Sequence, residues 1–162
     1  MYNHATKNYQ CPICLAVKGI ENEHTMIKQD DIFYRDDLVM ALINFKFVGN
    51  NPGHVIVAPL KHYENLYDLP EKEAMRIMKI AKEVSIALKK SRNCDGVMIL
   101  QNNEPASEQH AFHYHMHLFS RFENGKLHEN ISNFRVSEAK ERKVFSKAMK
   151  EYFKNDKRNM EG

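Results

Sequence analysis

At 162 residues, with 43% hydrophobic residues and a formal net charge of +3, the chain has the bulk of one globular domain with a proper core. No apolar run approaches the ~20 residues of a membrane span, and so mild a charge excludes an electrostatic case for nucleic acid; the basic excess in the tail KERKVFSKAMKEYFKNDKR reads as a solvated helix face. The opening MYNHATKNYQ lacks a secretory apolar segment, so the expected location is the cytoplasm.

The first chemistry-bearing stretch is CPIC, which pairs Cys11 with Cys14, while Cys94 stands alone as a small buried residue. Three cysteines in a protein expected in the cytoplasm argue against a disulfide framework. The pair has two readings. A redox pair of the thioredoxin kind needs a preceding apolar strand and a helix N-terminus that lowers the thiol pKa, and only polar residues precede Cys11. Half of a zinc site needs two further ligands, and the chain holds nine histidines to draw on.

DIFYRDDLVMALINF carries two apolar clusters broken by Arg35, Asp36 and Asp37, which predicts a hairpin. NNPGHVIVAPL predicts a turn from Asn50 to Gly53, then a strand His54–Ala58 stopped by Pro59. HYENLYDL reads as one or two short helical turns. Asp68, followed by Pro70 and Glu71, predicts the N-cap of a long helix with the stripe Ala74, Ile77, Met78, Ala81, Val84 and Leu88; lysines and glutamates lie opposite, so the stripe is core. DGVMILQNN predicts a buried strand, NNEPASEQ a polar loop and ENGK a turn. Ser137 predicts the cap of a last helix with Phe145, Ala148, Met149 and Tyr152 on one face. There is no internal repeat and no low-complexity tract. One α+β domain over residues 1–162, built on an antiparallel sheet, accounts for all of these elements.

The segment QHAFHYHMHLFSR puts His113, His115 and His117 in strict alternation, just after His110. In a strand the three share one face, and Tyr114, Met116 and Leu118 share the other. At ~3.3 Å per residue, His113 and His117 lie roughly 13 Å apart, so all three reach one metal only if the strand bends. A division of labour fits the spacing better than a three-histidine metal site. A half-buried strand with polar residues on its wet face explains one histidine well and three in register poorly.

HYHMHLF matches His-φ-His-φ-His-φ-φ, and with it the chain resembles the histidine triad (HIT) superfamily of nucleotide hydrolases and transferases. PGHVIVAPLKH resembles the family's Gly-His strand ending in Pro and His, LINF the strand end that carries a ribose-binding Asp or Asn, and ILQNN the strand that leads to its Asn-containing loop. Gln109 sits four residues before the first triad histidine, as the family's glutamine does. These pieces run in the family's order from Cys11 to Arg121, about two-thirds of the chain. The resemblance implies a HIT-like fold over 9–122: an antiparallel five-stranded sheet with one long and several short helices, followed by a C-terminal extension over 123–162 that is helical. It also implies a homodimer whose sheets join across the interface.

The resemblance further implies structural zinc on Cys11, Cys14, His62 and His113, as in zinc-containing bacterial members. His115 is then the nucleophile that takes a nucleotidyl group from the α-phosphate, with His117 stabilising the transition state and His54 lining the site. Asn44 would contact ribose, Asn102 the phosphate or the reacting centre, Gln109 the phosphate, and Phe33 and Ile43 the base of a purine nucleotide. Three departures stand out: Glu108 replaces a common Gly, Ser-Arg replaces Pro-Arg after the triad, and His110 replaces a small hydroxyl residue, which suggests a general acid for the leaving group. The functions to separate are a purine nucleoside phosphoramidase, a dinucleoside polyphosphate hydrolase, a zinc-stabilised nucleotide-binding module with little turnover, and a metalloenzyme that uses the histidines directly.

Overall fold

The computed structural model describes residues 2–22, 25–49, 51–127 and 131–160. Five strands form one antiparallel sheet in the order β1-β2-β4-β6-β5: β1 (Ile32–Arg35), β2 (Val39–Ile43), β4 (Val55–Pro59), β5 (Gly96–Gln101) and β6 (Met116–Arg121). The short strands β3 (Lys46–Val48) and β7 (Phe134–Val136) pair with each other as a separate antiparallel ribbon. Among the described residues three α-helices complete the fold: α1 (Pro12–Val17), α2 (Glu71–Arg92) and α3 (Ala139–Met160).

Period-two alternation divides the central strands between two cores. Val39, Ala41 and Ile43 of β2, Val55 and Val57 of β4, and Met116 and Leu118 of β6 face one way, onto Ile77, Ala81, Val84 and Leu88 of α2 and onto Met149 and Phe153 of α3. Met40 and Leu42, with Ile56 and Ala58, face the other way, onto Cys11, Ile13 and Ala16 of the N-terminal segment and onto Ile27. Both faces are covered, so β2 and β4 are buried along their whole length. The β1–β2 hairpin forms as expected. Asp36 stitches it by accepting the backbone N–H groups of Leu38 and Val39, both at 2.8 Å, while Arg76 of α2 donates to its other carboxylate oxygen at 2.6 Å.

Several expectations change. HYENLYDL forms turns rather than helix. Side chains there hold the backbone in place of i→i+4 bonds: Asn103 Oδ1 accepts from Leu66 N–H at 2.8 Å, and Asn65 Oδ1 from Tyr67 N–H at 3.0 Å. α2 starts one residue after Pro70, which is itself the N-cap in an extended conformation, so Asp68 lies outside the helix. Its buried arc runs through Ile80 and Ala87, and Met78 is exposed, because α3 packs beside the sheet and turns the buried face toward itself. Ser137 does not cap α3; its hydroxyl donates to the Phe45 carbonyl at 2.7 Å. β5 is an edge strand with Ile99 45% exposed, not a buried one. The predicted turn from Asn50 to Gly53 falls partly outside the described residues; Gly53 has φ +76°, a left-handed conformation that glycine tolerates.

The extension beyond residue 122 is integral to the packing. Arg142 of α3 is 3% exposed and donates to Asp31 Oδ1 at 2.8 Å, to Ser137 O at 2.6 Å and to Met26 O at 3.2 Å. The ion pair fastens the last helix to the segment just before β1.

Candidate functional site

The histidine row is only partly a strand. β6 begins at Met116, and its ladder with β4 ends where Val57 faces Met116. Beyond that point Tyr114 N–H turns to Tyr63 O at 2.6 Å, so His113 and His115 lie on an irregular approach and only His117 is in the strand. The alternation of faces survives: Tyr114, Met116 and Leu118 are in the α2-side core.

This departure from the ladder gives the first histidine its own neighbourhood. His113 is fully buried and lies against the CPIC turn, with Nδ1 3.4 Å from Cys11 Sγ and 3.5 Å from Cys14 Sγ. His62 Nδ1 approaches Cys14 Sγ at 3.3 Å. One ligand atom from each of Cys11, Cys14, His62 and His113 falls within 4.8 Å of all the others, so the four could hold a metal ion. His113 Nε2 donates to Pro59 O at 2.9 Å, which fixes the tautomer and leaves Nδ1 as the lone-pair nitrogen facing the thiols. Cys14 is held well below the ordinary thiol range, first by the Cys11 thiol and then by His113 and His62; Cys11 is pushed up by the same shared proton and by burial. CPIC itself opens α1: Cys11 is the N-cap, and its sulfur accepts Cys14 N–H at 3.4 Å.

The second and third histidines open onto a cavity of about 560 Å³, in the range of small-molecule sites. His54, His110, His115, His117, Asn44 and Asn102 all line it. His115 Nδ1 donates to the His113 carbonyl at 2.7 Å, so its Nε2 is left as the unprotonated nitrogen. Burial holds His115 down to about 4 and His54 to about 3, and takes His117 well below the ordinary imidazole range; the three are neutral at pH 7. Asn44 Oδ1 accepts Lys46 N–H at 3.3 Å, which directs Nδ2 toward His54 Nε2 at 2.6 Å and places the His54 proton on Nδ1. That nitrogen and His117 Nδ1 are buried and have no hydrogen-bond partner among the described residues. His110 is exposed, and its Nδ1 lies 2.7 Å from Glu108 O.

The HIT domain model matches residues 26–124, which is more than half of the 162-residue chain. The chain belongs to the HIT family. A HIT-like protein of Borreliella burgdorferi is 33% identical over 136 residues, covering 79% of this chain and 91% of its own. A bis(5'-adenosyl)-triphosphatase of Dictyostelium discoideum is 31% identical over 103 residues, 61% of this chain and 68% of its own, so the family includes hydrolases. Among solved structures, a zinc-bound histidine triad family protein from Mycobacterium smegmatis has the same fold, with a TM-score of 0.72 at 19% identity over 93% of this chain and 97% of its own.

Three of the residues read from the resemblance do not reach the cavity. Phe33 and Ile43 point into the core beneath α2 and α3: Ile43 alternates with Leu42 onto that face, and Phe33, in the register shift between Ile32 and Tyr34, packs there too. The apolar lining comes instead from Ile13, Ile27, Phe45 and Ile56. Gln109 is also absent from the lining: its amide is engaged at both ends by backbone, donating to Glu64 O at 2.5 Å and accepting Glu104 N–H at 2.7 Å. Asn102 stays at the rim, where its side chain donates to Ser107 O. Sequence reading missed the apolar wall, though Ile13 lies inside CPIC and Phe45 directly follows Asn44. It also missed Lys46, whose alternation with the buried Phe47 in NFKFV was the available signal.

Among the described residues no helix is long and apolar enough to cross a membrane.

Proposed function

We propose that the chain is a nucleotide hydrolase that attacks the α-phosphorus of a purine nucleotide conjugate through a covalent nucleotidyl-histidine on His115. One observation carries this reading: His115 Nδ1 is tied to the His113 carbonyl at 2.7 Å, so a neutral imidazole offers its Nε2 lone pair at a cavity of nucleotide size. In the first step the Nε2–P bond forms as the bond to the leaving group breaks, and the leaving group departs with a proton. Water then breaks the N–P bond and releases the nucleoside monophosphate. His117 donates to the phosphoryl oxygens, His54 and Asn44 act as one hydrogen-bonded unit at the ribose, and Asn102 meets the phosphate. His110, oriented by Glu108 O, supplies the leaving-group proton; an unchanged turnover rate in His110→Ala would remove it from that role. Ile13, Ile27, Phe45 and Ile56 contact the base, in place of Phe33 and Ile43.

The leaving group is an amine, as in a purine nucleoside phosphoramidate, or a second nucleotide, as in a dinucleoside polyphosphate. The likeness to the Dictyostelium triphosphatase favours the second. The four-ligand cluster suits structural zinc. Bonds of about 2.3 Å to sulfur and 2.0–2.1 Å to nitrogen make a tetrahedron with edges of roughly 3.3–3.8 Å; three of the four sulfur–nitrogen separations, at 3.3, 3.4 and 3.5 Å, fall inside that range, and all the ligand atoms lie within 4.8 Å of one another. Zinc there would anchor α1, and with it Ile13, against the triad. The chemical step needs no metal. The exposed edge of β5 is the surface through which two copies would join their sheets, and paired thiols kept as ligands suit a cytoplasmic setting.

The test is release of AMP from adenosine phosphoramidate and from diadenosine tetraphosphate by wild type and His115→Ala. Turnover that vanishes in the variant, with an adenylylated peptide trapped in the wild type, is the expected result. Wild-type turnover that survives His115→Ala would overturn the mechanism.

A further inference from the structure

The cavity's described lining contains one lysine and no arginine, and its single carboxylate is Glu108. The lysine is Lys46, on the β3–β7 ribbon, where it faces Val136 across the pair. It is half-buried, and no carboxylate of the described residues lies within ion-pair distance of it. Its ammonium sits 4.1 Å from the centroid of the Phe134 ring. Lys46 and Val48 line the cavity, while Phe47 between them turns into the core. The alternation thus puts the one strong cation of the described lining on the substrate side of the ribbon. Burial lowers its pKa from the usual lysine value, and its charge acts on His54, His115 and His117.

An unpaired, partly desolvated ammonium is costly unless an anion meets it. Among the described residues the lining's one carboxylate, Glu108, is not within ion-pair distance of Lys46, which leaves the anion of a ligand to meet it. The aromatic face of Phe134 holds the ammonium at the wall without neutralising it, as a carboxylate would. Phe134 belongs to β7, ten residues beyond the last position matched by the family model. The C-terminal extension therefore builds the part of the wall that presents the charge.

We propose that Lys46, positioned by Phe134, is a specificity-determining residue that binds a phosphate other than the one attacked, so the cavity selects nucleotides carrying two or more phosphates. This rests on the nucleotide reading above and deepens it: substrates with a phosphoanhydride chain are preferred over phosphoramidates, whose single phosphate is already engaged by the triad. A lysine–phosphate contact in such a site corresponds to a preference of about tenfold.

Calorimetric Kd values for AMP and ADP, with the full chain as wild type, Lys46→Gln and Lys46→Arg, test it. The wild type should bind ADP about tenfold more tightly than AMP, Lys46→Gln should bring the two within about twofold, and Lys46→Arg should restore the gap. Phe134→Leu should narrow the gap and Phe134→Tyr should keep it, which a merely structural role for the ring would not distinguish by nucleotide. Nucleotides that bind the wild type with equal affinity, or a gap that persists in Lys46→Gln, overturn the proposal and leave the hydrolase reading standing. A wild type that binds neither nucleotide overturns both.

Discussion

Removing the guanidinium of Arg142 should unfasten the last helix. The pair it forms with Asp31 is among the most enclosed in the protein, with side chains 3% and 2% exposed. In Arg142→Ala, Asp31 keeps the Lys28 N–H at 2.8 Å but loses its charge partner among the described residues, and the carbonyls of Ser137 and Met26 lose the guanidinium N–H groups. An uncompensated buried carboxylate of this kind costs about 3–5 kcal/mol. For a chain of this size that is a fall of roughly 6–20 °C in Tm. Chemical denaturation with a parallel thermal scan measures it. The double variant Asp31→Leu/Arg142→Met, which removes both charges, should recover most of the loss, because desolvation of the pair offsets much of its attraction. A single-variant loss below about 1 kcal/mol, or a double variant no better than the single, would refute the view that burial sets the size of the effect.

Three further outcomes follow from the geometry. Burial lowers His54 to about 3 and His115 to about 4, against an ordinary value near 6.5, so between those limits the unfolded chain binds more protons than the folded one. Stability from this source is complete above about pH 6.5 and is lost as pH falls toward 4; a denaturation midpoint unchanged from pH 7.5 to 5 would contradict it. The protein should carry one zinc per chain by atomic absorption, and Cys11→Ser/Cys14→Ser should lose the metal and the order of α1; a wild type prepared in zinc-containing medium that holds none would count against the assignment. In Gly53→Ala, the new Cβ would meet Phe145 ring carbons at 2.5, 2.6 and 2.8 Å in a left-handed backbone, so a loss of about 2–4 kcal/mol is expected by chemical denaturation, and less than about 1 kcal/mol would mean the ring moves aside freely.

Where a pattern is local, the sequence was a sound guide. Alternation in VMALI and VIVAP separates the residues that face α2 from those that face α1, and the helix period marked most of the buried side of α2. The face shared by Tyr114, Met116 and Leu118 was equally legible. Expectations failed where a distant element decided the outcome. Phe33 and Ile43 are apolar residues beside a site motif, yet they lie on the face of the sheet that α2 and α3 cover. Gln109 is polar in a loop beside the triad, yet backbone groups already engage both ends of its amide. Met78 lost its place in the stripe to Ile80 because α3, some sixty residues away in sequence, packs alongside α2.

Chain chemistry and spacing alone determined which residues were available: two thiols at i and i+3, three imidazoles at i, i+2 and i+4, and an asparagine at a strand end. Only the tertiary structure decided which of them meet. His113 and Cys11, 102 residues apart, come within 3.4 Å because the strand ladder stops at Met116 and frees the first histidine to turn toward α1. Lys46 faces the cavity because β7 pairs with β3 and holds it beneath an aromatic ring. Periodicity shows which side of an element a residue occupies; what covers that side depends on long-range packing, and no local pattern records it.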